Sequence, residues 1–490
     1  MSSCISHEPL ESILLALRSN VVPEPPERLA IRISIVEAEQ SLFSVDEEFS
    51  QKASNFIAMS SSRLAPVRCL PPEILSSIFL HSILDSPLAI GRPQDFSVAA
   101  VSFHWREVAL STPSLWSRFS ISLRGGEAAF QMLQLCLKRA KVSLLTIEIR
   151  KDAALQRPVH GGMVDHLIQK SDQWMRISVP LDYQLLVLFS SVRGRLSSLE
   201  IASFALATAS EDSDVSLGDI DAFEIAPKLR SLSLRNTADA LPLFPLNQLE
   251  RVLFTNISKD RIVLIIDQSP NLRSLTCRWS ADSPYPHPDD PHPPVTLEFL
   301  DTIDLKGDYY LLRFLTTPRL KFLSLTNMQH LSKPIFRRLF ARSQCTLHTL
   351  FLDKVWAHWT CVVEILQRTP TLHSLTILDG RPNSVTDKAI EALVIDPAIE
   401  AQVLPGLRKL TLHGSYLFRT SKLLDMLESR MMINVDVASH VTRLRLVDLR
   451  LDQRQFTEGE LERFRALQGP DVEVSLRRFD AQKSACTKQV

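Results

Sequence analysis

From about residue 125 onward, apolar positions recur in one phrase: an apolar residue, then two more placed three and five residues later. The phrase reads Leu196-x-x-Leu199-x-Ile201, Leu229-x-x-Leu232-x-Leu234, Leu249-x-x-Val252-x-Phe254 and Leu272-x-x-Leu275-x-Cys277. It continues as Leu300-x-x-Ile303-x-Leu305, Leu320-x-x-Leu323-x-Leu325 and Leu347-x-x-Leu350-x-Leu352. Leu372-x-x-Leu375-x-Ile377, Leu407-x-x-Leu410-x-Leu412 and Val441-x-x-Leu444-x-Leu446 close the series. Weaker copies stand at Leu144-x-x-Ile147-x-Ile149 and Trp174-x-x-Ile177-x-Val179. The alternation that ends each phrase is the period of a strand with one buried side. Between phrases, Pro334–Arg342, Thr360–Arg368, Asp387–Val394 and Ser421–Arg430 carry helical spacing. Strand then helix, repeated, predicts a parallel sheet with helices outside it.

Successive phrases from Leu196 begin 33, 20, 23, 28, 20, 27, 25, 35 and 34 residues apart. Spacings of roughly 20 to 29 residues with this phrase resemble a leucine-rich repeat, and the longer gaps leave room for larger helices. One strand cannot bury its inward side alone, so the units must stack and share a core. The expected fold class is therefore α/β: over residues 121–490, a leucine-rich-repeat solenoid with a parallel sheet on its concave face and helices on its convex face. Such repeats usually carry Asn or Cys three residues after the last leucine. Thr237, Met328 and Val355 stand there instead, so the asparagine ladder is expected to be missing and the array irregular.

Residues 1–63 read as a helical lead-in. Pro23, Pro25 and Pro26 separate a short helix near Leu10–Arg18 from a long one starting near Glu27. On the long one Ile31, Ile35, Ala38, Leu42, Val45, Phe49, Phe56 and Met59 recur at steps of three and four, a narrow seam of coiled-coil type. The seam serves either a helix folded back on its own chain or self-association.

Residues 64–120 form a compact block. Pro71 and Pro72 suit a first helical turn, and Glu73 faces the positive end of the helix dipole. Ile74, Leu75, Ile78, Phe79, Leu80, Ile83 and Leu84 cover nearly the whole circumference, and a helix apolar all round is expected to be buried all round. A block this small buries a limited share of its surface, so part of this helix awaits a partner or the neighbouring repeats. A second apolar segment, Phe96 to Leu110, ends in Ser111-Thr112-Pro113-Ser114-Leu115-Trp116. Leu70-Pro71-x-Glu73-Ile74-Leu75-x-x-Ile78-Phe79 followed by Val101-x-x-x-Trp105-Arg106-x-Val108-Ala109 resembles an F-box. With the trailing Ser-Thr-Pro-x-Leu-Trp, the chain is similar to the F-box-like, leucine-rich-repeat proteins abundant in mushroom-forming fungi. It departs from them mildly at Ser102, where cysteine is usual, and at Phe103, where a basic residue is common.

The resemblance implies a substrate receptor of a Skp–cullin–F-box ubiquitin ligase: a small all-α F-box docks on a Skp-type adaptor and, through it, cullin, while the repeats hold the protein to be ubiquitinated. Carried over by position, adaptor contact falls on Leu70, Pro71, Ile74, Leu75, Ile78, Phe79, Val101 and Trp105. The alternative for these eight is the core of the small domain itself. The alternative for the whole chain is a repeat scaffold with a degenerate F-box that no longer meets the ligase.

Charge and cysteine usage narrow the picture further. Lys+Arg 55 against Asp+Glu 55 argues against a nucleic-acid or membrane coat. Seven scattered cysteines without a Cys-x-x-Cys pair are expected to be free thiols in a reducing compartment. No basic flank and apolar stretch open the chain, and no run approaches the ~20 residues of a bilayer span. The expected location is intracellular, cytoplasmic or nuclear. No phosphate loop, His-Glu-x-x-His or Gly-x-Ser-x-Gly is present, so no enzyme activity and no cofactor is expected. His358 and Cys361, three residues apart, are expected to hold a helix start and a core position. The stretch 283–294, with His287, Asp289, Asp290 and His292 among six prolines, reads as an exposed loop and not a metal site.

Residues flanking the inward leucines point to the other side of the predicted sheet. Arg235, Arg251, Arg278, Lys306, Lys409, Arg443 and Arg445 outnumber Asp304 and Asp353 there, and Leu253, Phe322, Phe351 and Leu378 form an expected apolar patch between basic ends. That combination suits an unidentified protein with an apolar anchor and flanking acidic or phosphorylated residues.

Overall fold

The computed structural model describes residues 10–20, 22–41, 47–82, 87–90, 98–150, 158–181, 183–206, 220–236, 242–280, 293–379, 384–396, 402–432, 441–451, 457–468 and 473–478. The chain divides into two compact units, Met1–Pro180 with Val187–Leu199, and Leu181–Leu186 with Glu200–Val490.

The first unit opens with three helices, α1 (Leu10–Ser19), α2 (Pro25–Ser41) and α3 (Glu47–Arg63). The single long helix expected from Glu27 is thus two helices that pack on each other. Ile13, Ala38 and Phe56 form their core, with Leu17, Ile57 and Met59 against it. Ile31 is also buried, so the seam folds back on its own chain. Leu42 and Val45 lie outside the described residues, as does the side chain of Phe49. Arg68 ties the bundle to the segment after it: its guanidinium donates to Leu17 O (3.2 Å), Asn20 Oδ1 (3.2 Å) and Ser62 O (2.6 Å).

Next come α4 (Pro72–Ser82), β1 (Leu88–Ala89), α5 (Val98–Val101), α6 (Phe103–Ser111) and α7 (Pro113–Trp116). They are followed by β2 (Arg118–Ile121), α8 (Glu127–Ala140), β3 (Leu145–Ile149), α9 (Gly161–Gln169), β4 (Trp174–Leu181) and α10 (Tyr183–Leu188). Strands β1 to β4 pair in chain order, all parallel, with Phe119 opposite Ile147 and Ile147 opposite Ile177. The first weak copy of the phrase needs correction. Leu144 is exposed and Leu145 is buried in its place, beside a register shift between Leu145 and Thr146. An unread copy precedes it, Trp116-x-x-Phe119-x-Ile121, all three residues buried, so the last turn of the Trp-containing block feeds straight into a strand.

Among its described residues, the second unit repeats one parallel strand eleven times. These are β5 (Ile201–Leu206), β6 (Ser231–Arg235), β7 (Arg251–Thr255), β8 (Ser274–Arg278), β10 (Thr302–Lys306) and β12 (Phe322–Thr326). β13 (Thr349–Asp353), β14 (Ser374–Leu378), β15 (Lys409–Gly414), β16 (Leu446–Leu451) and β17 (Glu473–Arg478) complete the row, and β9 (Val295–Thr296) pairs separately with β11 (Leu315–Thr316). Neighbours pair without a slip, so Leu232, Val252, Leu275, Ile303, Leu323, Leu350, Leu375, Leu410 and Val447 form one row of inward residues. Each of them is buried.

The connections on the other side differ along the row. α11 (Lys259–Asp267), α12 (Lys333–Ser343), α13 (Trp359–Gln367), α14 (Asp387–Glu391), α15 (Thr420–Met431) and α16 (Glu458–Ala466) are α-helical, while Leu246–Gln248 and Tyr310–Phe314 are single 3-10 turns. The short spacings of the sequence leave no room for more.

Register corrects two phrases. Ala202 and Phe204 align with Leu232 and Leu234, so the phrase near β5 is Leu199-x-x-Ala202-x-Phe204, three residues beyond the expected Leu196 start. At β16 it is Leu444-x-x-Val447-x-Leu449, again displaced by three from Val441. In both places a run of extra apolar residues offers two frames, and only stacking on the neighbour selects one.

Most strands leave through a left-handed residue two positions after the last inward side chain: Asn236 (φ 48°), Asn256 (51°), Gly307 (87°), Asn327 (57°), Lys354 (54°), Asp379 (47°) and Gly414 (140°). Asparagine and glycine are the residues that adopt this region at least cost. Asn256 Nδ2 donates to Asn236 Oδ1 (3.1 Å), and Asn256 Oδ1 accepts from Ser280 N (2.8 Å). A short asparagine ladder therefore exists, one residue ahead of the position where its absence was expected. At Gly307 a Cβ would stand 2.4 Å from Trp279 O, so no other residue fits that turn.

Candidate protein-recognition surfaces

In the block after the helical bundle, Leu75 and Phe79 are fully buried and the Phe79 ring lies 4.9 Å from that of Trp105. Ser102 breaks the second apolar segment into α5 and α6, its hydroxyl accepting from Trp105 N (3.1 Å) as an N-cap. Trp116 Nε1 donates to Ala109 O (2.9 Å), and the Arg139 guanidinium stacks 4.3 Å from the Trp116 ring. These contacts hold α6, α7 and α8 together from the inside.

The outside is different. Ile74 is 49% exposed, Ile78 45%, Val101 61% and Phe103 48%. Within this chain α4 is buried on one side only: Leu75 and Phe79 point inward, while Ile74 and Ile78, one turn apart, face solvent, the open part that a block this small was expected to leave for a partner or the repeats. Pro71 is exposed, and Leu70 and Trp105 are half-buried. The eight positions therefore divide into a core pair (Leu75 and Phe79), two half-buried residues (Leu70 and Trp105) and four exposed ones (Pro71, Ile74, Ile78 and Val101) on or beside α4 and α5, with α4 packed on α6. Ile83 and Leu84 lie outside the described residues.

The second surface is the side of the β5–β17 sheet away from its inward leucines. Arg235, Arg251, Arg278, Lys306 and Lys409 are exposed along its strands, and Phe322, Phe351 and Leu378 are half-buried there. Strand pairing sets Phe322 opposite Thr349, Ser324 opposite Phe351, and Asp353 opposite Leu378. The three apolar side chains thus step diagonally across β12, β13 and β14. Leu253, on β7, is separated from β12 by β8 and β10 and does not join that patch. Arg443 and Arg445 precede β16 instead of lying on it, because of the displaced phrase, and Val447 is an inward, buried position of that strand.

The β16 positions on the face are Leu446, Asp448 and Arg450. Asp448 joins its neighbours: Oδ2 bonds His413 Nε2 (2.8 Å) and Oδ1 accepts from Ser475 Oγ (2.8 Å), with Arg450 Nε at 3.8 Å. Burial opposes the charge on Asp448, but those hydrogen bonds and the cation more than offset it and hold its carboxyl below the ordinary value.

A cleft of about 660 Å³ opens where β8, β10, β12 and β13 end. Trp279, Tyr309, Tyr310 and Trp356 supply its rings, and Lys259, 4% exposed, pairs with Asp308 at 2.8 Å. Nothing in the sequence marks these residues, because Lys259 opens an ordinary amphipathic helix and Asp308 follows a turn glycine.

Nucleophile geometry is lacking at His358 and Cys361. His358 caps α13, its Nδ1 2.9 Å from Thr360 Oγ1, while Cys361 is buried and its thiol is pushed up to about 11 by that burial. Among the described residues no group of three His, Cys, Asp or Glu is placed to hold a metal ion. The 283–294 stretch lies almost wholly outside the described residues. Cys69, Cys136, Cys277, Cys345 and Cys361 are free thiols. No described helix is long and apolar enough to cross a membrane.

No protein-family model matches the sequence, and no curated protein matches it. Among solved structures, the chain is similar to one in "Crystal structure of Rad7 and Elc1 complex in yeast", at 12% identity and a TM-score of 0.31 over 90% of this chain and 99% of that one. A likeness of that size carries no argument about this protein.

Proposed function

We propose that this protein is the substrate-recognition adaptor of a Skp–cullin–F-box ubiquitin ligase, with residues 64–120 docking on the Skp-type adaptor. The β5–β17 array then acts as a leucine-rich-repeat solenoid that binds the target. The observation that carries this reading is the open face of Ile74, Ile78 and Val101 over a block whose own core, Leu75 and Phe79, is complete without them. Large apolar side chains left in water at neighbouring positions mark an interaction site.

For the target, the proposed contact set is Arg235, Arg251, Arg278, Phe322, Phe351, Leu378 and Lys409. Arginine forks and Lys409 suit carboxylate or phosphate, and the Phe322–Phe351–Leu378 diagonal suits an apolar anchor.

Co-purification with a recombinant Skp-type adaptor tests the ligase reading. Wild type is expected to bind, and Ile78→Asp and Val101→Asp are expected to abolish binding while leaving the circular dichroism unchanged, since both side chains already meet water. Trp105→Ala is a poorer probe because its ring packs on Phe79. A wild-type chain that ignores every adaptor would point to the scaffold alternative.

A further inference from the structure

A ladder of side chains runs along the edge of the second unit where its strands begin. The residue just before each strand of the row from β7 to β16 donates its amide to the residue at the same place one strand earlier. Thus His348 N bonds Lys321 O, His373 N bonds His348 O, Arg408 N bonds His373 O and Arg445 N bonds Arg408 O, each at 2.8 Å. Residues so joined stack at steps of ~4.8 Å.

The charge on this ladder changes character halfway. Before β6, β7, β8 and β10 stand Arg230, Glu250, Arg273 and Asp301, alternating in sign, with Arg230 Nε 3.6 Å from Glu250 Oε1. Opposite charges on neighbouring strands attract and like charges repel, so this half neutralises itself. From β12 to β16 the alternation stops: Lys321, His348, His373, Arg408 and Arg445 follow one another with no carboxylate between them. None of these five side chains has a hydrogen bond or ion pair among the described residues. The turns 343–347, 369–372, 404–407 and 441–444, which lead into β13 to β16, contain no Asp or Glu either. Lys321, Arg408 and Arg445 are exposed, and the half-buried rings of His348 and His373 lie 5.0 Å apart. His348 is held below the ordinary imidazole value by burial, then by His373 and Lys321. A stretch that repels itself, on a ladder that pairs its charges elsewhere, lacks a counter-charge.

Its extent says what kind. The five positions span ~19 Å, the reach of about six extended residues. Asp301 closes one end, and exposed Glu473, whose amide bonds Arg445 O (2.8 Å), closes the other. A long polyanion such as a nucleic acid would run onto those carboxylates, whereas a short acidic segment would not. We propose that the strand-start edge of β12 to β16 binds a short acidic segment of a partner protein. Lys321, Arg408 and Arg445 take its carboxylates or phosphates, and the two imidazoles between them serve as hydrogen-bond donors. This edge is separate from the contact set proposed on the sheet face and does not rest on the ligase reading.

Fluorescence anisotropy of the full chain at low salt tests it, with three labelled probes: a hexaglutamate peptide, a hexapeptide alternating serine with phosphoserine, and a hexathymidine strand. At least one peptide is expected to bind and to be released as salt is raised, the tighter of the two showing whether carboxylate or phosphate supplies the charge. Arg408→Glu and Arg445→Glu are each expected to weaken that binding about tenfold or more, with unchanged circular dichroism because both side chains are exposed. Arg408→Lys, and Arg278→Glu on the sheet face, are expected to stay within about threefold of wild type. The inference is overturned if neither peptide binds, if Arg408→Glu and Arg445→Glu bind like wild type, if Arg278→Glu weakens binding as much as they do, or if the hexathymidine strand binds more tightly than both peptides.

Discussion

Three residues show how much single positions decide. Arg430 is fully buried and has no carboxylate paired with it among the described residues; its guanidinium donates to Leu393 O (2.6 Å), Val403 O (2.7 Å) and Leu404 O (2.9 Å). Burial lowers its pKa to about 10, so it remains charged at neutral pH. Arg430→Met removes the guanidinium donors to Leu393 O, Val403 O and Leu404 O, of which Leu404 O keeps the Leu407 N–H, and is expected to destabilise the protein by ~3 kcal/mol in denaturant unfolding, where a loss below ~1 kcal/mol would refute this account. Gly307→Ala places a methyl against Trp279 O and is expected to lower the melting temperature, more than Gly459→Ala, whose Cβ meets nothing. Asp448 sets a pH dependence. Its folded pKa is below the unfolded one, so its contribution is complete above about pH 4 and is lost as pH falls through the folded value. Asp448→Asn is therefore expected to flatten the stability-against-pH curve on the acid side only, as followed by urea midpoints.

At the scale of the element, the strands were legible because their phrase repeats nine or more times, and each copy supports the frame of the next. The misread copies are those with spare apolar residues, Leu196 to Phe204 and Val441 to Leu449, where spacing alone fits two frames. That three-residue displacement moved Arg443 and Arg445 onto a face they do not occupy. The break of the N-terminal helix, and which side of α4 stays open, were illegible for another reason: a pattern of apolar residues names what would gain from burial, not which neighbour is present to bury it. Core dependence follows the register. Leu350→Ala, at a fully buried row position, is expected to cost ~2–5 kcal/mol, while Leu144→Ala, at the exposed position, is expected to cost far less in the same melt. Adjacent outer helices are also joined by ion pairs: Arg337 to Glu364 (2.7 Å), Arg419 to Asp387 (2.7 Å) and Arg463 to Glu428 (2.7 Å). Being solvent-exposed in part, each is worth little alone, and their combined loss in high salt is expected to be small beside one core leucine.

At the scale of the whole molecule, 55 basic and 55 acidic residues leave no net field to keep copies apart near neutrality. Solubility is expected to be lowest near the sequence pI of about 7.2 and to rise on either side, as light scattering against pH reads out. The unbroken alignment of β5 to β17 has a longer reach. Each tile rests on the tiles beside it through its inward side chains, whereas exposed side chains of the other face, such as Arg235 and Lys306, lie outside that core. If that face binds a target as proposed, point changes at such exposed sites can redraw it one letter at a time, and duplication of an entire tile can lengthen it, with the hidden masonry left as it was. On that reading, a lineage built on such a chassis is free to change its target without learning to fold again.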